Sequence, residues 1–140
     1  MDPASLFGLA ASLTQLTGQV LIAFTDYVSS VKGAPASVDR LKKELTAISV
    51  VLTEISNLAA HGVTMNSAVT VIVTDCQKTL QMMLEELTRL KLKEQNASTL
   101  YGISWERLKW PFREKKITGW AEMLEGYKAT ISLHLHTQTV

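Results

Sequence analysis

From Pro3 to Thr25 the chain carries no charged side chain, and 23 uncharged residues in succession restrict that segment to a buried helix, a membrane-crossing helix, or each in turn. A bilayer's hydrocarbon core takes a helix of about 20 residues. The segment, PASLFGLAASLTQLTGQVLIAFT, is not a solid apolar run, because Ser5, Ser12, Thr14, Gln15, Thr17, Gly18 and Gln19 interrupt it. Leu6, Leu9, Leu13, Leu16, Val20, Ala23, Tyr27 and Val31 recur at alternating steps of three and four, which lines them along one face of a helix. That face predicts packing into a core. The opposite face is the unusual one. A bundle helix normally carries charge on its outside, and here the outside is Ser, Thr, Gln, Ala and Gly, so little has to be desolvated on insertion.

A secretory signal would begin with basic residues and end at a cleavage site after a short apolar core. This chain begins Met1-Asp2, has no Lys or Arg before Lys32, and continues in helical register to Val31, so a cytoplasmic resting state is expected. The lone Cys76 agrees: it has no partner for an internal disulfide and falls on an apolar face, as a small core residue does. In that compartment the Asn96-Ala97-Ser98 sequon has no consequence. Met1 is not followed by Gly, and no cysteine lies near residue 140, so any membrane contact has to come from the polypeptide itself.

At 140 residues the chain suits one domain with a single core, residues 1–140, needing neither metal nor disulfide. Its formal net charge of +1 is too small for general attraction to nucleic acid. The distribution of charge is more informative. Between Arg89 and Lys116 stand eight basic residues, including Arg89, Lys91, Lys93, Arg113, Lys115 and Lys116, against three acidic ones, so this window is +5 and the remainder −4. Such a patch predicts a contact with anionic lipid headgroups.

Periodicity predicts four long helices. After the first, Val38, Leu41, Leu45, Ile48, Leu52, Ile55 and Ala59 keep the three-four alternation, with Gly33, Pro35 and Ser37 marking the turn before them and His61-Gly62 the stop after them. A third helix is expected from Thr64 or Asn66 to about Gln95, with Val69, Ile72, Cys76, Leu80, Met83, Leu87 and Leu90 inward. Its start, AVTVIVTD, is β-branched, but the helical spacing continues for three further turns and no hairpin partner follows. The stretch from Asn96 to Lys116 is expected to be irregular, with a short helix over Ser104–Lys109. A last helix carries Ile117, Trp120, Leu124, Tyr127, Ile131 and Leu135 on one face. The expected fold is all-α: an antiparallel four-helix bundle with an extra short helix before the last long one.

The constellations that enzymes use are missing. His134 and His136 are spaced at i, i+2 and diverge on a helix, so they do not share a metal, and His61 stands beside a glycine at a helix end. Glu85-Glu86 and Glu122-x-x-Glu125 lie among basic neighbours, where ion pairs are the default. No phosphate-binding glycine loop follows a strand, and nothing beside Cys76 would activate it. Neither catalysis nor a cofactor is expected.

Three stretches carry a family resemblance: the opening MDPASLFGLAASLTQL, the YVSSVKGAP turn leading into RLKKELTAISVVL, and the late LKWPFREKKITGWAEMLEGYKATISL. Together they resemble the fungal HeLo-like N-terminal domains found ahead of nucleotide-binding receptor modules, ankyrin arrays or amyloid signalling motifs. The resemblance spans essentially the whole chain, and its most specific portion is Leu108-Lys109-Trp110-Pro111-Phe112. It implies the N-terminal domain of a longer receptor or effector, similar in role to the HeLo domain of HET-S and the four-helix domain of the necroptosis pseudokinase MLKL. Such domains execute cell death by reaching the plasma membrane as oligomers after a sensor or amyloid domain, of the same or a partner protein, is triggered.

Carried onto this chain, the resemblance makes Pro3 to Phe24 the executing helix, with Leu6, Phe7, Leu9, Leu13, Leu16 and Val20 inserting and Gln15 on its polar side. One departure stands out. Pore-forming relatives often carry acidic residues on the lining face, whereas Pro3 to Thr25 has none, so Ser12, Gln15 and Gln19 would have to line any pore.

Two functions follow. The first is a membrane-targeting effector that oligomerises and permeabilises the plasma membrane. Oligomerisation is needed because one helix with seven polar or glycine interruptions gains little alone, whereas several copies hide those groups against one another, with Gly8, Ala11 and Gly18 allowing close approach. The alternative is a non-lytic interaction module for self-association or autoinhibition in an immune-type receptor, anchored by the aromatic cluster of Trp105, Trp110, Phe112 and Trp120, of which Trp105 and Trp120 are expected rather to close the end of the core.

Overall fold

In the computed structural model the backbone is described over residues 3–30, 36–101 and 114–138, and side chains over 4–29, 36–92 and 114–135. Four helices account for almost all of it: α1 (Pro3–Ser30), α2 (Ser37–Ala60), α3 (Ser67–Tyr101) and α4 (Glu114–Gln138), with no strand among the described residues. Several of their ends carry a local signal. Pro3 opens α1, where its fixed φ suits a first helical position and its missing N–H has no acceptor to lose. The α2 helix places Asp39 in its first turn, complementing the positive end of the helix dipole.

At the other end of α2, Gly62 takes φ +78, which a side chain would resist. This lets Gly62 N donate to Ala59 O at 3.0 Å and Val63 N to Leu58 O at 3.0 Å, the paired bonds of a Schellman stop. Asn66 caps α3, its Oδ1 accepting from Ala68 N at 2.9 Å. The β-branched run after it is helical, and Thr74 satisfies its hydroxyl by donating to Thr70 O at 2.8 Å. Here the long apolar period overrides local β-propensity.

The helices pack in the cyclic order α1, α2, α4, α3, each on two neighbours, with the pairs α1/α4 and α2/α3 across the diagonals. Cross-helix contacts define the register. Thr79 hydrogen-bonds Tyr127 at 2.9 Å and Glu86 meets Lys116 at 3.6 Å, so numbering runs in opposite senses along α3 and α4. Arg40 meets Glu125 at 2.8 Å and Glu44 meets Lys128 at 3.2 Å, rising together along α2 and α4.

One core joins all four helices. Every inward position expected on α2 is buried, and Val51 and Ser56 join them. On α3, Val73 rather than Ile72 is fully inside, while Ile72 packs at the edge. On α4, Ile117, Trp120, Leu124, Ile131 and Leu135 are buried and Tyr127 is half-buried, its hydroxyl reaching Thr79. Two boundaries differ from expectation. The α3 helix runs on to Tyr101 instead of stopping near Gln95, and α4 starts at Glu114, within the segment expected to be irregular. Asn96 to Tyr101 has no Gly or Pro to break the helix. The turn residues Gly33 and Pro35, the short helix expected over Ser104–Lys109 and the stretch Leu108 to Phe112 lie outside the described residues.

Candidate membrane-contacting site

The buried seam of α1 is Leu6, Ala10, Leu13, Thr17, Val20, Phe24 and Tyr27. It shares Leu6, Leu13, Val20 and Tyr27 with the face read from sequence, but the intervening positions step four-three instead of three-four. Leu9, Leu16 and Ala23 therefore sit at the margin, half-buried against the core. The reason is volume. At the seam the small Ala10 and Thr17 are buried together with the large Phe24 near its end, whereas a count of apolar residues alone favours the leucines.

The rest of α1 faces outward. Phe7 and Ile22 are exposed at 43% and 65%, Ala4, Gly8 and Ala11 lie on the same side, and Ser12, Gln15 and Gln19 form an adjoining polar strip. Gln15 is thus exposed, as its place opposite Leu13 predicts. The exposed Phe7 and Ile22 make the outer surface more apolar than the Ser/Thr/Gln/Ala/Gly face expected from sequence. Within Ala4–Ser29, long and apolar enough to cross a membrane, only 28% of the most apolar window is buried.

Two polar interruptions are already neutralised by the helix itself. Thr17, 1% exposed, donates its hydroxyl to Leu13 O at 2.7 Å, and Thr14 donates to Ala10 O at 3.0 Å. These bonds travel with the helix into any solvent. A Cβ built at Gly8 or Gly18 meets nothing within 4 Å, so neither glycine is required by packing inside the bundle. With no charged side chain between Ala4 and Thr25, α1 is held there without ion pairs, unlike α2 on α4 or α3 on α4. Burying Leu6, Leu13, Val20 and Phe24 contributes roughly 6–12 kcal/mol against water at about 1.5–3 kcal/mol each. A hydrocarbon phase returns the same gain.

The basic window is partly assembled by the fold. Arg89, Lys91, Lys115 and Lys116 are exposed at the α3/α4 edge, Lys93 continues α3, and Arg113 lies outside the described residues. Arg89 Nη2 lies 2.7 Å and Lys116 Nζ 3.6 Å from Glu86 Oε1. The Arg89 hydrogen bond, helped by the charge of Lys116, holds the Glu86 carboxyl below its ordinary value, with burial acting the other way. Lys116 also lies over the Trp120 ring, 5.5 Å from its centroid. Trp120 is 8% exposed and belongs to the core, so it is not an interface anchor, while Trp105, Trp110 and Phe112 lie outside the described residues. Glu86, which sequence reading set aside as part of a solvated pair, proves to be the hub of this edge. The (i, i+3) spacing to Arg89 was visible in sequence, whereas Lys116 is thirty residues away.

Among the described residues no three His, Cys, Asp or Glu side chains gather to hold a metal ion. Cys76 is fully buried, and burial pushes its thiol up to about 12. His61 closes α2, its Nδ1 2.7 Å from Asn57 O. Glu125 pairs with Arg40, and Glu85 accepts from Gln81 at 3.4 Å.

An all-α domain with an uncharged, largely outward-facing first helix beside a charged edge on two others is the class these features define. Within it, the chain belongs to the family described as pigment biosynthesis cluster protein PigL N-terminal, whose profile matches residues 1–140. No curated protein and no solved structure matches the chain.

Proposed function

We propose that this chain is a membrane-targeting effector domain of HeLo-like kind, a bundle with alternating up and down helices that oligomerises and permeabilises a membrane through α1. The observation that carries the reading is α1 itself: long enough to span, uncharged from Pro3 to Thr25, and only 28% buried over its most apolar window. Its internal Thr14 and Thr17 hydrogen bonds support the same reading, since neither hydroxyl needs a partner in lipid.

Insertion has a physical obstacle, and the obstacle dictates the mechanism. When α1 leaves, the core faces of α2 and α3 lose their cover, so departure needs a trigger and a partner surface. Neighbouring copies would supply both, re-covering the core and pairing Ser12, Gln15 and Gln19 away from lipid. In the resting state the domain is cytoplasmic and soluble; on activation it reaches the plasma membrane, drawn by Arg89, Lys91, Lys93, Arg113, Lys115 and Lys116. The family's description as an N-terminal region agrees with a further domain in the longer protein; that this domain is a sensor or amyloid module, with cell death as the outcome, follows from the HeLo-like resemblance. On this reading the domain has no catalytic role, no cofactor and no nucleic-acid partner.

Dye release from vesicles containing phosphatidylserine tests the proposal. Release that falls with added salt and is absent from neutral vesicles is expected. Concentration-dependent self-association without lipid binding or release would instead establish the non-lytic interaction module.

A further inference from the structure

The arithmetic of the basic window leaves out its closest anion. Glu86 lies three residues before Arg89 in α3, yet its single Oε1 receives Arg89 at 2.7 Å and Lys116 of α4 at 3.6 Å. One carboxylate therefore occupies two cations from two helices, in a patch whose other described cations, Lys91 and Lys115, are exposed. The arrangement has further neighbours: the Trp120 ring beneath Lys116 and Glu85 held by Gln81.

We propose that Glu86 is an internal stand-in for a lipid phosphate, masking Arg89 and Lys116 until the α3/α4 edge meets an anionic bilayer whose headgroups displace it. This rests on the reading of that edge as the lipid contact. The exchange is chemically matched. Arg binds phosphate through a planar fork of donors at least as well as it binds a carboxylate, and Lys accepts either anion as a point charge. The Glu86 pairs are at the surface, where water already competes for them, so they yield to a dense array of fixed phosphates.

The test compares the parent chain with Glu86→Gln and Glu85→Gln in sedimentation with vesicles of phosphatidylserine and phosphatidylcholine, and with phosphatidylcholine alone. Both substitutions remove one negative charge from adjacent positions of α3, but only the first frees Arg89 and Lys116. Glu86→Gln should raise partitioning onto anionic vesicles about fivefold, the effect of one effective cation near such a surface, and Glu85→Gln distinctly less. Glu86→Asp keeps the charge, shortens its reach and should fall between, which preserves the test if Glu86→Gln melts early. Equal gains from Glu86→Gln and Glu85→Gln would overturn the masking while leaving the lipid-contact reading in place. If no form of the chain sediments with anionic vesicles, the lipid-contact reading fails and the masking with it.

Discussion

Replacing both Gly8 and Gly18 by alanine should make the resting bundle more stable and the membrane-active state weaker. Both glycines lie inside α1, and an added Cβ meets no atom within 4 Å at either. A helical glycine is less favourable than alanine by about 0.5–1 kcal/mol, through the freedom it loses on folding. The sites are ten residues apart with no shared neighbour, so their effects add to about 1–2 kcal/mol. In a domain of this size about 3–5 °C accompanies each kcal/mol, so the melting temperature should rise by roughly 3–10 °C. Each methyl also adds apolar surface, which by itself favours insertion. If copies of α1 approach closely through these glycines in lipid, vesicle leakage should nevertheless fall.

Extra stability alone would also retard release of α1, so a matched control is needed. Gly119 and Gly126 of α4 are equally open, and converting that pair to alanine adds a similar increment without touching α1. Leakage must drop further for the α1 pair than for the α4 pair at equal melting temperature. A melting temperature that does not rise would refute the account of these glycines as open helix interior. A rise with the same leakage in both pairs would refute close approach of α1 helices in the membrane.

Other outcomes follow from the same geometry. Leu45 is fully buried, and Leu45→Asp should lose several kcal/mol and its cooperative melt; a variant that melts like the parent would remove Leu45 from the core. Gln15 is exposed on the polar strip, so Gln15→Glu should alter stability by less than about 0.5 kcal/mol while reducing leakage through repulsion between copies; unaltered leakage at every ionic strength would exclude insertion of this face. The Cys76 thiol, pushed up to about 12 by burial, should resist thiol reagents in the resting domain and react faster once anionic vesicles draw α1 off α3; a rate unchanged by vesicles that nonetheless leak would show that α1 stays packed. Since the folded thiol ionises later than the ordinary value of 9.0, its contribution to stability is complete below that pH and is lost as pH climbs towards 12. Alkaline melts of the parent and Cys76→Ala should diverge over that range.

Helix identity was legible in the sequence because a three-four period with few breakers admits no other regular structure, and that held even for the β-branched start of α3. Every α2 position read as inward is buried, with Val51 and Ser56 added at its margins, for the same reason: its apolar positions are large, numerous and bounded by charge. The face of α1 was misread by a fraction of a turn. With no charges to mark the outside, Leu9 and Leu16 compete with Ala10 and Thr17 for the seam, and only the spacing of the neighbouring helices decides in favour of the small residues. The charged edge shows the same division. Arithmetic along the chain determines that residues 89–116 are basic, but charges act through space, and it is the packing of α4 on α3 that sets Lys116 beside Arg89 with Glu86 between them. What the sequence determined by itself is therefore periodic and local: four helices, an uncharged first one, a basic stretch. What only the tertiary structure decided is which atoms those helices bring within a few ångströms, because close packing selects faces by volume and converts distant residues into one electrostatic site.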